Sequence, residues 1–503
     1  MEPKYDVLVI GAGLGGLSCA ARLANLGYRV GVLEKHTLIG GYASHFKRRG
    51  FLFDVSLHGT AGLEEGKSLH SILTACDVAK RITPLSKRHP YSVKVGNEVL
   101  SVPQDHIEYK EMLCRMYPED RAGIHRLFQD LKNLDQELKF LSSPDVSNWK
   151  KGMLFPFKCR LLLKWSRMTT YQVLRHYVSS VSLSSFFTVL WAYYGLPPKK
   201  LSALYFFIPW IGYHMEGTYY IQGGGQSLSD AFAEAIREKG GDVFTRKEVK
   251  QIITIGNLVS GVQLSDGSAV TARWVISNAS PVLTFNELLA NDVQMHERYS
   301  TKLNQLEVGS SLTQLYLGLE GDPATLGITQ EETVILEEAD HELDYERAMH
   351  GFYDKVNLIV NNYNLMDPTL NPGDKGVVTV TWIDRIGNWP ERGSEYERKK
   401  GLVTDKILER LERHYPGIRK NVVVAELGTP RTMQRYTSNP EGAVYGYAQT
   451  VKQSGIRRLS SRTPYRNLSL VGAWTQPGGG YQGAILSGFM EAERIARKLK
   501  IKG

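Results

Sequence analysis

Residues 5–34 read YDVLVIGAGLGGLSCAARLANLGYRVGVLE, and this stretch decides the fold. Residues 5–10 are a short apolar run of the kind a buried parallel strand needs. Glycines follow at once at 11, 13, 15 and 16. Leu17, Ala20, Ala21 and Ala24 then fall on one helical face, and Gly27 ends the helix. Residues 28–34 give a second strand, completing a βαβ unit. In such a turn Gly11 permits the tight bend, Gly13 lets backbone approach a pyrophosphate, and Gly16 lets the helix pack against the strand. The first N–H groups of the helix and its positive dipole end face the phosphates. Glu34 ends the second strand about twenty residues past the glycines. A carboxylate there accepts hydrogen bonds from ribose hydroxyls and repels a 2′-phosphate, which disfavours NADP.

Outward from this unit, Gly40-Gly41 make a second backbone turn just beyond the carboxylate. At the far end, residues 468–488 read LSLVGAWTQPGGGYQGAILSG. A strand delivers Gly472, and Gly478, Gly479, Gly480 and Gly483 permit close backbone approach. A helix from about Ala484 aims its N–H groups at the electron-rich edge of a ring, where its dipole favours an anion. Between the ends, the strand YYIQ at 219–222 leads through three glycines into a helix marked by Leu228, Phe232, Ala235 and Ile236. Residues 249–277 alternate as strands around a turn at Asp266-Gly267. Residues 306–385 read as a second, β-rich sheet, and 402–414 as an amphipathic helix.

These motifs resemble the flavin enzymes of the amine-oxidase and carotenoid-desaturase superfamily, in the pattern GxGxxGLxxAxxLxxxGxxVxxxExxxxxGG. The C-terminal glycine segment is similar to that of carotenoid desaturases, carotenoid isomerases and retinol saturases. The segment NYNLMDPTLNPGDKG (362–376) looks like the Asp-Pro segment of the same group. Phe51-Leu52-Phe53-Asp54 also matches the superfamily, but Ser56 stands where its members carry glycine. The resemblance covers essentially the whole chain and is loose between 85 and 215. It implies FAD held by Gly11, Gly13, Leu14, Gly15, Gly16, Glu34, Lys35, Gly40, Gly41, Tyr42, Ala43, Val249, Gly472, Gly480, Gln482, Gly483 and Ala484. It also implies action on carbon–carbon bonds of a long isoprenoid or polyene, by desaturation, saturation or isomerisation. His58, Gln476 and Tyr481 are the catalytic candidates beside the ring, with His58 a candidate proton carrier. Without a second GxGxxG βαβ unit, the electron partner is a quinone, oxygen or a transiently bound NAD(P).

The expected fold is therefore α/β: a Rossmann-like FAD-binding domain from residues 1–105, 218–305 and 420–503. A mixed β-sheet and helical substrate domain, 106–217 with 306–419, is inserted into it. The chain has 503 residues, 42% of them hydrophobic, enough for two or three cores. Its net charge of +9 suits anionic lipid or phosphate. Nucleic-acid motifs and metal-ligand spacings are absent from the sequence. Four scattered cysteines suggest neither disulfides nor zinc. With a strand beginning by Tyr5 they point to a reducing, cytoplasmic setting.

Residues 149–217 stand apart. Trp149, Phe155, Phe157, Trp165, Phe186, Phe187, Trp191, Phe206, Phe207 and Trp210 either line a tunnel for an apolar chain or pack a core. Lys150, Lys151, Lys158, Arg160, Lys164 and Arg167 either meet anionic headgroups at a membrane surface or form a solvated face. The uncharged run 178–198 carries five serines and ends in Pro197-Pro198, so a buried helix is expected there and not a membrane span. Two rivals use the same frame. One is a flavin amine oxidase with an aromatic cage from Trp474 and Tyr481. The other is a non-catalytic binding protein like the dissociation inhibitors that carry prenylated GTPases.

Overall fold

The computed structural model describes residues 3–143, 146–289 and 293–499. Its first sheet holds β1 (Tyr5–Ile10), β2 (Val30–Leu33), β3 (Asp242–Phe244), β4 (Val249–Ile255), β5 (Leu258–Leu264), β6 (Ala269–Ser277) and β7 (Leu468–Leu470). The order is β3-β2-β1-β6-β5-β4, with β7 also paired to β6. The pairs among β3, β2, β1, β6 and β7 are parallel, whereas β4 and β5 are antiparallel additions. β2 is buried throughout and β1 nearly so, as the apolar runs in a parallel sheet require. β2 starts at Val30 rather than Tyr28, because Leu26 and Gly27 turn the chain out of the preceding helix and Tyr28 and Arg29 lead from that turn into the sheet.

Six helices matter to the site: α1 (Leu14–Asn25), α2 (Arg121–Ser142), α3 (Asn148–Lys158), α4 (Ala203–Met215), α5 (Gly224–Glu238) and α6 (Gly480–Leu499). α1 packs along α6. Ser18 Oγ donates to the Ile485 carbonyl at 2.7 Å, and Arg22 meets Glu493 at 2.7 Å. A Cβ on Gly488 would stand 2.1 Å from the Gly15 carbonyl oxygen, so only glycine permits this crossing. α6 begins at Gly480, four residues ahead of the expected start, and includes Tyr481 and Gln482 in its first turn.

A second seven-stranded sheet runs in the order 422–428, 311–320, 375–384, 358–362, 332–335, 92–95, 98–101. Its interior is a separate aliphatic and aromatic core around Leu315, Val378, Val380 and Trp382. Boundaries at 105 and 420 place strands 92–95, 98–101 and 422–428 with the first sheet, yet all three hydrogen-bond into the second. Backbone pairing decides this, and short strands of mixed polarity do not announce their partner. The helices of 106–215 enclose another core, built on Tyr109, Phe128, Trp165, Phe187, Phe207 and Trp210. No helix among the described residues is long and apolar enough to cross a membrane.

The α1–α6 crossing gives a direct test. Replacing Gly488 with leucine forces overpacking that costs about 1–3 kcal/mol. The variant is expected to unfold several degrees below the parent in a thermal scan and to lose flavin. An unchanged midpoint would contradict the packing.

Candidate active site

The two glycine-rich ends meet. A Cβ on Gly15 would lie 2.6 Å from Gly472 Cα, so the first and last loops touch through bare backbone. Gly13 forms a parallel bridge with Gly40, and the Gly40 N–H donates to the Ala12 carbonyl at 2.7 Å. Asn278, at the end of β6, stands between these loops. Its amide would lie within 2.7 Å of a Cβ on Gly13, on Gly15 or on Gly472. α1 has no side-chain cap at Gly13, and its first hydrogen bond runs from the Leu17 N–H to the Gly13 carbonyl. The N–H groups of Leu14, Gly15 and Gly16 are thus left for an anion.

A single cavity of about 1190 Å³ starts at this junction. That exceeds the roughly 300–1,000 Å³ of an ordinary ligand pocket, so it has room for a dinucleotide and a second molecule. Gly11, Gly13, Leu14, Gly15, Glu34, Lys35, Gly40, Gly41, Tyr42, Ala43, Val249, Gly472, Gly480, Gln482, Gly483 and Ala484 all line it. Glu34 is buried; its carboxylate accepts from the Ala12 N–H at 2.8 Å and the His36 N–H at 2.9 Å, which fixes its direction at the end of β2. Lys35 Nζ donates to Ser438 Oγ at 2.5 Å. Gly16 does not line the cavity; a Cβ there would meet the Gly11 carbonyl at 2.3 Å, so its part is helix-to-strand packing. Bare backbone where a side chain would block, helix N–H groups without a backbone acceptor and a buried carboxylate at the end of β2 together fit FAD.

The ring-side candidates part company. His58 and Tyr481 line the cavity. Tyr481 Oη lies 3.4 Å from Ser56 Oγ, and Gln482 Nε2 donates to the Ala61 carbonyl at 2.6 Å. Segment 56–61 is thereby held against the start of α6. Ser56 keeps an ordinary backbone, since Asp54 Oδ1 accepts from the Ser56 and Leu57 N–H groups at 2.9 and 2.8 Å and shapes the turn. Gln476 is the exception. Its amide donates to the carbonyls of Ile456 and Arg458, both at 3.2 Å, and it does not line the cavity. Trp474 lines the cavity, but its indole N–H donates to Asn439 and its ring sits edge-on to Tyr447 at 4.9 Å.

On the His58 side the cavity is walled by Leu190, Tyr193, Tyr194, Tyr205, Ile211 and Tyr213, which form a chamber. Burial raises the phenols of all four tyrosines, so they stay neutral. Of the two roles open to the aromatics of 149–217, tunnel lining or core packing, the named residues do not take the first. Trp165, Phe186, Phe187, Trp191, Phe206, Phe207 and Trp210 pack in cores, Phe155 packs partly buried beside them, and Trp149 and Phe157 face solvent. Indole and phenyl rings fill an interior, whereas tyrosine presents an apolar face with a polar tip, which suits a cavity wall. Two features carry no signal in the sequence that marks them as functional: Asn278, just past β6 in the segment VISNASP, and the buried pair Lys87–Glu332 on the chamber wall, 2.8 Å apart. Nothing local marks that pair, because Lys87 sits in a polar stretch that reads as surface. No group of three or more metal-ligating side chains occurs among the described residues.

A family model for flavin containing amine oxidoreductases matches residues 14–496. Among curated relatives, prolycopene isomerase 1, chloroplastic, from an Oncidium hybrid cultivar is 29% identical over 99% of this chain and 85% of its own. All-trans-retinol 13,14-reductase from Danio rerio is 27% identical over 93% of this chain and 82% of its own. Among solved structures, an oxidoreductase from Methanosarcina mazei superposes with a TM-score of 0.62 at 18% identity, covering 97% of this chain and 99% of that one.

His58 carries a pH prediction. Burial, and then the nearby Lys87 charge, push its imidazole down to about 3. The ring is therefore neutral at working pH. The stability it secures is full above about pH 6.5, the unfolded value, and is lost as pH falls toward 3. Selective histidine labelling and NMR should show no titration of His58 between pH 8 and 5. A midpoint near 6.5 would contradict the site.

Proposed function

Since the chain belongs to the flavin containing amine oxidoreductase family, we propose that it is an FAD-dependent oxidoreductase of carbon–carbon bonds in a long apolar isoprenoid or polyene. The observation that carries this is the continuity of the dinucleotide cradle with the tyrosine-walled chamber in one cavity. Similarity to a prolycopene isomerase and an all-trans-retinol 13,14-reductase supports the same substrate class. When bound, the flavin supplies hydride transfer to or from a substrate carbon.

The chain's residues supply position and dryness. The amides of Leu14, Gly15 and Gly16 would hold the pyrophosphate and Glu34 the ribose, with the start of α6 positioned to face the ring. Tyr193, Tyr205 and Tyr213 give the chain an apolar bed and exclude water. His58 Nδ1 and Tyr193 Oη share a hydrogen bond at 2.8 Å, a neutral couple able to hold a proton beside the reacting carbons. The electron partner in this reading is a quinone, oxygen or a transiently bound nicotinamide.

Delivery of such a substrate runs along a membrane surface. α3 exposes Trp149, Met153 and Phe157 beside the exposed Lys150 and Lys158, with Arg160, Lys164 and Arg167 following. α3 packs on α2, whose Leu138, Lys139 and Ser142 line the cavity. Apolar rings flanked by cations match an anionic lipid surface. The variant W149S/F157S is expected to lose most of its sedimentation with phosphatidylcholine–phosphatidylserine vesicles while keeping its flavin. Undiminished sedimentation would contradict this docking.

The activity is tested by incubating flavin-loaded protein, oxidised and dithionite-reduced, with prolycopene, phytoene and all-trans-retinol in vesicles, and separating products by chromatography. Conversion of at least one polyene, with no hydrogen peroxide from primary amines, is expected. Peroxide from amines with all polyenes unchanged would overturn the proposal.

A further inference from the structure

The chamber wall carries an ion pair that a hydrocarbon ligand has no use for. The side chains of Lys87 and Glu332 are 1% and 4% exposed, and both line the cavity. Lys87 Nζ donates to Glu332 Oε2 at 2.8 Å, to the Pro90 carbonyl at 3.0 Å and to the His58 carbonyl at 3.2 Å. Those three bonds use all the protons of an ammonium. Glu332 Oε1 receives no hydrogen bond from the described residues. Glu332 also lies near enough to Tyr193 and Tyr213 for its charge to act on both phenols. A buried pair of this kind is often replaceable by apolar residues without loss of stability, so stability alone does not account for it.

The charges on the wall select a ligand. Lys87 and Glu332 cancel, and His58 beside them is neutral. A carboxylate on the ligand would face the Glu332 carboxylate, and an ammonium at Oε1 would stand beside the Lys87 ammonium, which already neutralises that carboxylate. An aldehyde only accepts hydrogen bonds, and the open group here is an acceptor. A hydroxyl donates to Oε1 and meets neither penalty. We propose that Lys87 and Glu332 form a subsite for the alcohol end of a long apolar chain, with Glu332 Oε1 accepting from the hydroxyl and Lys87 holding the carboxylate in place. This rests on the reading of the chamber as the seat of an apolar chain and adds a polar terminus to that chain.

The test is equilibrium binding to flavin-loaded protein, read by quenching of tryptophan emission. The probes are geranylgeraniol, geranylgeranial, geranylgeranoic acid and the matching hydrocarbon. A hydrogen bond to a charged acceptor predicts that the alcohol binds at least about tenfold tighter than the other three. Lys87→Met with Glu332→Met removes both charges together. It is expected to weaken the alcohol to the level of the hydrocarbon while hydrocarbon affinity changes by less than about twofold. Should the double variant fail to fold, Glu332→Gln is read instead: its amide oxygen keeps Lys87, its N–H faces the chamber, and preference shifts from alcohol to aldehyde. Equal affinities in the parent overturn the subsite, as does an alcohol preference that survives both charges' removal or leaves E332Q unchanged. If none of the four probes binds, the chamber itself is misread and the subsite falls with it.

Discussion

Gly15 and Gly472 touch through backbone alone, and the rest of the molecule is arranged so that they can. The first residues of the chain and the last segment must converge on one edge of one sheet. β6 arranges this, because β1 and β7 both pair with it in parallel and deliver their loops to the same end. α1 then lies along α6 with Gly488 against the Gly15 carbonyl, and Asn278 fills the angle between the two loops. A methyl group at the junction would stand well inside contact distance of backbone that cannot move without breaking the sheet. The absence of side chains there leaves bare N–H groups at the start of α1, an arrangement that suits an anion.

From that junction the cavity changes character in a way that follows chemistry. Its first part is backbone, glycine and the carboxylate of Glu34, suited to phosphate and sugar. Its second part is tyrosine and aliphatic wall, suited to hydrocarbon. Segment 54–61 joins the two parts. Asp54 shapes its turn, Ser56 and Ala61 meet the first residues of α6, and His58 turns toward Tyr193. A flavin oxidoreductase needs both environments against one ring, and one short loop holds them in register. The family match over residues 14–496 agrees with the flavin-binding part of this arrangement.

Local chemistry was readable, and long-range pairing was not. The βαβ unit, Glu34 and the C-terminal glycines declare themselves because each role needs a particular residue type at a fixed spacing. The structure brings nearly all of them to one cavity. The aromatic residues of 149–217 were ambiguous for a physical reason: burial in a core and burial in a cavity wall draw on the same side chains, and periodicity reports which face is apolar without reporting what that face meets. Tyrosine took the wall and tryptophan took the core. Gln476 was misplaced because it precedes the glycine bend by two residues, yet its amide caps the carbonyls of Ile456 and Arg458. Lys87 and Glu332 come from distant segments, so no pattern along the chain joins them. Strands 92–101 and 422–428 went to the second sheet for the same reason.

The central claim is that one FAD is clamped between the opening βαβ turn and the closing glycine bend. A crystal structure of the protein grown with FAD tests it most directly. The account predicts pyrophosphate density on the amides of residues 14–16, the ribose at Glu34, and the ring beside residues 472–484 with its open face toward the tyrosine chamber. A dinucleotide bound elsewhere, or a junction closed by side chains with no density in it, would contradict the account.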